Sequence, residues 1–173
     1  IGRVAEVNIG FNETAKKGQP LFRLDNSKQD AAVEAARRKI AEIDAQILVA
    51  RADLAKADGQ VVEAKSTHQQ GEDELEAKQE LYRRNPGNVP FREIERLQER
   101  VKGQLGGITA ATATKQGIEE RISTLLPAEK ASAEAGLAQA QVDLDKTVIR
   151  AGFDGRVEQF FLRPGDLVNP MMR

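Results

Sequence analysis

Apolar residues recur through the first half of the chain on a seven-residue repeat. Val33, Ile40, Ile47, Leu54, Val61, His68, Leu75 and Tyr82 are spaced by seven, and Ala36, Ile43, Ala50, Ala57 and Ala64 follow the first five by three. Only His68 breaks the first series. Alternating steps of three and four keep one narrow stripe on one side of an α-helix, which is the seam of a coiled coil and not the broad face of a globular core. The alanines on that stripe let a partner helix approach closely. At the far end Gly71 and Lys78 take the alanine positions, so the seam is expected to be held less tightly there.

The helix must stop at Asn85-Pro86-Gly87-Asn88-Val89-Pro90. Two prolines remove backbone donors, and the glycine and asparagines tolerate positive φ, so the stretch reads as a fold-back between arms at 27–84 and 91–148. The second arm carries its own seam through Ile94, Leu97, Val101, Ile108, Ala111, Ile118, Ile122 and Leu125, interrupted by polar Lys115. After Pro127 the apolar positions change phase to Ala133, Leu137, Ala140 and Leu144. A proline inside a helix removes one hydrogen bond and crowds the carbonyl four residues earlier, so a bend or interruption is predicted near Leu126. Gly103, Gly106 and Gly107 mark a rival fold-back, but a turn there leaves arms of very unequal length.

Strand character is confined to the ends. Val4, Val7 and Ile9 precede a turn at Gly10-Phe11-Asn12-Glu13, a second turn runs through Lys16–Pro20, and Leu21–Leu24 reads as a strand. Asp25, Asn26 and Ser27 offer a helix cap, with Ser27 and Asp30 at capping-box spacing. Beyond Thr147, Val148–Ala151 and then Val157, Phe160 and Leu162 resume a strand pattern around turns at Gly152–Gly155 and Pro164-Gly165-Asp166. The two ends repeat one another at a constant offset. Gly2-Arg3-Val4 matches Gly155-Arg156-Val157, Val7 matches Phe160, Ile9 matches Leu162, and Asn12 matches Gly165. Asn and Gly both tolerate the left-handed conformation of a tight turn. The ends are therefore expected to be pseudo-symmetric halves of one small β domain with the helical hairpin inserted between them: an α+β chain with a first half at 1–26, a hairpin at 27–148 and a second half at 149–173.

The composition suits long exposed helices. Of 173 residues, 4% are aromatic and 31% charged, a balance that fits long exposed helices better than a thick core. A net charge of -1 gives no overall field for nucleic acid or an anionic membrane. Without cysteine there are no disulfides or thiolate metal sites. No apolar run approaches the roughly 18 residues of a membrane span. The chain opens at Ile1 and closes at Met171-Met172-Arg173 soon after a turn, and is expected to be a fragment.

Gly2-Arg3-Val4-Ala5-Glu6-Val7, Lys17–Leu21 and Leu24-Asp25, then a coiled coil, then Asp145–Ala151, Asp154-Gly155-Arg156-Val157 and Pro164-Gly165-Asp166 together resemble the membrane fusion, or periplasmic adaptor, proteins of the HlyD and EmrA type. The resemblance implies a lipoyl-like (biotinyl-lipoyl) β domain and a non-enzymatic adaptor for secretion or multidrug efflux. Such an adaptor links an inner-membrane transporter to an outer-membrane channel of the TolC type, forms a ring with its own copies, and lies in the periplasm of a Gram-negative envelope. The family's β-barrel domain and N-terminal membrane anchor have no counterpart in this sequence. Gly152 stands where the family usually has proline. Gln79, Arg83 and Pro90 occupy the positions of the family's Arg, Leu and Ser docking pattern. The alternative reading of the heptads is a structural coiled-coil spacer or oligomerisation module without an export role; it leaves the paired end motifs unexplained.

The partner-docking candidates are the hairpin tip: Arg83, Arg84, Asn85, Pro86, Gly87, Asn88, Val89, Pro90 and Phe91. Nearby Glu72, Asp73, Glu74 and Glu76 face a basic group of Arg83, Arg84, Arg92, Arg96 and Arg100. Only Tyr82 and Phe91 could stack on bases, so acid–base pairing across the hairpin or between copies is the simpler use of these charges. His68 is the only histidine, and packing on the seam suits it better than metal ligation. Lys16, Lys17 and Lys146 invite comparison with the modified lysine of lipoyl and biotinyl domains. The inserted hairpin leaves no short lysine-tipped turn, so no covalent cofactor is expected. No catalytic set, phosphate-cradling loop or metal cluster stands out.

Overall fold

A computed structural model describes residues 2–158 and 161–168. Phe160, expected in a strand, lies outside them. In chain order the elements are β1 (Gly2–Val7), β2 (Glu13–Ala15), β3 (Pro20–Leu24), α1 (Ser27–Arg84), α2 (Phe91–Glu120), a π-helical turn (Arg121–Leu125), α3 (Leu126–Asp145), β4 (Val148–Arg150), β5 (Gly155–Val157) and β6 (Leu167–Val168). The chain divides into two compact units, residues 1–42 with 130–173, and residues 43–129.

The first unit contains a four-stranded sheet in the order β4-β3-β1-β6 and a two-stranded sheet β2-β5, with every pairing antiparallel. The repeat read from the sequence governs this topology by exchange. In one half Gly2 and Arg3 pair with Val168 and Leu167 of the other. Their counterparts Gly155 and Arg156 pair with Ala15 and Thr14, the matching positions of the first half. The turns obey the same symmetry: the Asn12 amide donates to the Val157 carbonyl and the Gly165 amide to the Val4 carbonyl, both at 2.8 Å. Glu13 accepts from the Gly10 amide at 2.7 Å, as Asp166 does from the Arg163 amide at 2.8 Å. Asn12 has φ 65° and Gly165 φ 100°, the left-handed conformation expected of both. Neither half carries both partners of these ladders. Val4, Ile9, Ala15, Val33 and Thr147 are buried in this unit.

Three local readings change. Asp25, not a Ser27–Asp30 box, caps α1: its carboxylate accepts from the Ser27 amide and hydroxyl at 3.1 and 2.6 Å. These bonds hold the Asp25 carboxyl below the ordinary carboxylate range, the side-chain bond being the larger cause. Ile9 is buried but lies beyond the end of β1. The short strand β6 was hidden in Leu167-Val168, too brief for an alternating pattern.

The second unit is a seam-packed hairpin. On α1 every seam position from Ile43 through Leu54, Val61 and His68 to Tyr82 is buried or half-buried. On the return arm α2 runs without a break through Gly103, Gly106 and Gly107, so the rival fold-back is absent. Helix propensity lost at three glycines, about 1 kcal/mol each, does not outweigh a continuous seam. The interruption predicted near Leu126 is the π-helical turn, closed by the Leu126 amide on the Arg121 carbonyl five residues earlier. It sits just ahead of Pro127 and widens the helix where the proline ring would crowd it. The turn inserts one residue, which corrects the seam residue assigned there: Leu125 is exposed and Leu126 buried. Counting that insertion, the phase change to Ala133 is a single skip in one continuous three-four alternation.

Candidate partner-docking site

The tip begins where α1 ends at Arg84 and finishes where α2 starts at Phe91. The Asn85 amide closes the helix on the Leu81 carbonyl at 2.9 Å, and the Asn88 amide turns back to the Asn85 carbonyl at 3.1 Å. The Asn85 side chain accepts from the Gly87 amide at 3.1 Å. Asparagine therefore supplies both ends of the turn while Pro86 fixes φ between them. Pro90, at φ -63° and ψ 133°, precedes α2 without a side-chain cap; it has no amide hydrogen to satisfy.

Eight of the nine proposed docking residues are exposed; Val89 is buried at 4%. Val89, Ile94 and Leu97 form the buried apolar set at this end of the unit, so Val89 holds the turn and does not present itself outward. The Phe91 ring is 56% exposed and stands 6.0 Å from the Tyr82 ring at a tilted angle of 49°. Arg83 and Arg84 share one carboxylate, Glu80, at 3.5 and 3.0 Å. Sequence reasoning missed Glu80, although its spacing of three and four from the two arginines is the helical signal for such pairs. It also missed Leu81, 48% exposed. The tip thus offers an aromatic ring, an aliphatic side chain and two guanidiniums incompletely neutralised on a turn of fixed shape. That combination suits protein recognition.

Charged pairs align the arms behind it. Lys78 reaches Glu93 at 2.8 Å, Glu74 reaches Arg100 at 3.7 Å, and Lys115 reaches Asp58 at 2.7 Å. The hydrogen bond to Glu93 raises the Lys78 pKa, and that to Asp58 raises the Lys115 pKa. Among the described residues the Glu74–Arg100 pair joins the acidic and basic groups marked in the sequence. Lys115, which interrupts the seam pattern, is thereby an intra-hairpin pairing residue. Such exposed pairs contribute about 0–1 kcal/mol each and mainly fix register. Gly71 is buried, and a methyl group there would meet the Gln104 side-chain oxygen and a Val101 methyl, so this seam position is closely packed. His68 Nε2 lies 3.5 Å from Glu72. Among the described residues no cluster of three or more His, Cys, Asp or Glu could hold a metal ion, and no helix is long and apolar enough to cross a membrane. Lys146 pairs with Asp143 at 2.9 Å.

A long helical hairpin within a chain whose ends form a curled antiparallel β unit is the fold of membrane fusion protein adaptors. MacA from Actinobacillus actinomycetemcomitans shares that fold with a TM-score of 0.54, at 18% identity, over 99% of this chain and 43% of that one. In sequence the chain is homologous to the multidrug resistance protein MdtN. It is 26% identical to MdtN of Escherichia coli O6:H1 over 179 residues, and 25% identical to MdtN of Shigella flexneri over 177. Either alignment takes in 98% of this chain and 52% of the relative, so the chain spans about half the length of the curated relatives it matches. No family model matches it.

Proposed function

We propose that this chain is the hairpin-bearing part of a periplasmic adaptor in a multidrug efflux or secretion system. The carrying observation is homology to a multidrug resistance protein across 98% of the chain, joined to a fold shared with MacA. In this reading the protein works by reach and contact and not by catalysis. The 58 residues of α1 measure about 87 Å at 1.5 Å per residue, a length suited to bridging a periplasm. The transporter lies in the inner membrane, the tip at Arg83–Phe91 meets a TolC-like outer-membrane channel, and copies assemble into a ring. The parent protein is anchored in the inner membrane.

Deletion of the gene for the full-length protein is expected to raise sensitivity to exported compounds, and the tagged protein is expected to co-purify with an inner-membrane transporter. Unchanged sensitivity together with no transporter in the purified material would overturn the reading and favour a spacer without an export role.

A further inference from the structure

On α1 the seam is apolar at every position from Ile43 to Ala64 and then turns polar at His68. Three residues on, Gly71 is buried, with the Gln104 side-chain oxygen and a Val101 methyl in the space a Cβ would need. A glycine weakens a helix interior; here it admits a glutamine from α2 where the repeat calls for a packed apolar residue. The pairs Asp58 with Lys115 and Glu74 with Arg100 bracket this stretch of the hairpin and set Gln104 between the levels of His68 and Gly71. His68 Nδ1 and Gln104 Oε1 are both buried, and neither has a hydrogen-bond partner. Two orphaned polar atoms at one level of an apolar seam are destabilising as they stand and call for a reason.

The reason lies in the proton of the histidine. His68 Nε2 faces the Glu72 carboxylate, one turn on along α1, at 3.5 Å. With its single proton on Nε2, a neutral imidazole presents Nδ1 as an acceptor. Gln104 Oε1 is an acceptor too, so neither orphan can serve the other. A second proton makes Nδ1 a donor and turns the Glu72 contact into an ion pair. The other charged groups about the ring are Lys65, exposed one turn back on α1, and Glu63 in the cleft beside Gln104. From α2 the half-buried residues at this level are Val101, Gln104 and Ile108, and Lys102 is exposed. Burial opposes charging the ring, but the side chain is 17% exposed, the charged group in contact with it is a carboxylate, and protonation offers both orphans a partner at once.

We propose that this level is a proton-operated clasp: His68 takes up a proton, engages Gln104 across the hairpin and Glu72 along it, and holds the hairpin next to the tip more firmly in acid than at neutral pH. A proton bound more tightly by the folded chain stabilises it below the histidine range, and that stabilisation is lost as pH rises through the range. The clasp needs only the folded chain, so it stands or falls separately from what the tip meets.

His68 is the only histidine, which gives the test a single reporter. In urea unfolding of the full chain followed by circular dichroism, the unfolding equilibrium constant should fall about threefold or more from about pH 7.5 to about pH 5.5. His68→Leu should remove that fall. Gln104→Met, which keeps the volume and loses the oxygen, should reduce it. Heteronuclear NMR of the wild-type imidazole supplies an arm that needs no variant to fold. The neutral form should carry its proton on Nε2, and the acid form should show a slowly exchanging Nδ1 proton. A hairpin no firmer in acid, an equal fall in His68→Leu or in Gln104→Met, or an Nδ1 proton that exchanges as fast as in the urea-unfolded chain overturns the proposal.

Discussion

The β-rich unit and the hairpin unit are held in opposite ways. In the first, paired strands come from opposite ends of the chain: Gly2 on Val168, Gly155 on Ala15. Among the described residues three of the four ladders join the two halves and β1–β3 lies within the first, so order in one half depends on order in the other. In the second, contacts repeat every seven residues along Ile43, Ala50 and Ala57, and each layer resembles the next. Exchange ties distant segments into one cooperative unit, whereas repetition spreads stability along the length and makes phase, not any single residue, the critical property.

Phase is therefore where the hairpin should break most severely. Deleting Thr109 rotates every later seam residue by about 100°, and the cooperative thermal transition of the hairpin should be lost by circular dichroism. Deleting Leu125 together with Pro127→Ala removes the inserted residue and leaves the seam in step, so the transition should survive within a few degrees. Equal damage from the two would contradict the skip assignment. Next in size, Ile43→Ala opens a cavity at a side chain only 2% exposed and should cost about 2–4 kcal/mol in denaturant unfolding.

Smaller effects belong to the exchanged turns. Gly165→Ala places a Cβ at φ 100° and should destabilise the β unit by about 1–2 kcal/mol. Asn12→Gly at φ 65° should be nearly neutral. If both behave alike in amide exchange of β1 and β5, the turns are not equivalent in the way their hydrogen bonds indicate.

The smallest contrast is in pH. Asp25 and Asp143 have lowered pKa values, owing to Ser27 and Lys146 respectively. Their stabilisation is present above the unfolded carboxylate value of 3.8 and is lost as pH falls through the lower folded values. Lys78 and Lys115 have raised values, so their contribution is complete below 10.5 and is lost as pH rises through the folded values. Acid should first loosen the helix ends in the β-rich unit, and alkali the cross-hairpin pairs. Lys115→Ala should flatten the alkaline response of hairpin melting.

The hairpin was legible because its signals are local and repeated: the α1 seam and the bounds at Ser27 and Arg84 follow from periodicity and from two prolines. The left-handed turns at Asn12 and Gly165 were legible because the repeat placed equivalent residue types together. Other features depend on geometry that composition does not encode. Leu125 and Leu126 are chemically identical neighbours, and only the π-helical turn decides which is buried. Asp25 displaced the Ser27–Asp30 cap because its carboxylate reaches two donors of one residue. At the tip, Val89 reads as exposed turn by sequence, yet it closes the apolar end of the hairpin, while Leu81 beside it faces outward.

The central claim is that the tip meets a partner in the envelope, and in-cell photo-crosslinking tests it most directly. A photoreactive residue is placed at Arg84, Asn88 or Phe91 of the full-length protein, with Asp53 as the mid-hairpin control. The account predicts adducts to an outer-membrane channel from the tip positions and adducts between copies from Asp53. Labelling between copies from Asp53 with no channel adduct from any tip position would contradict it.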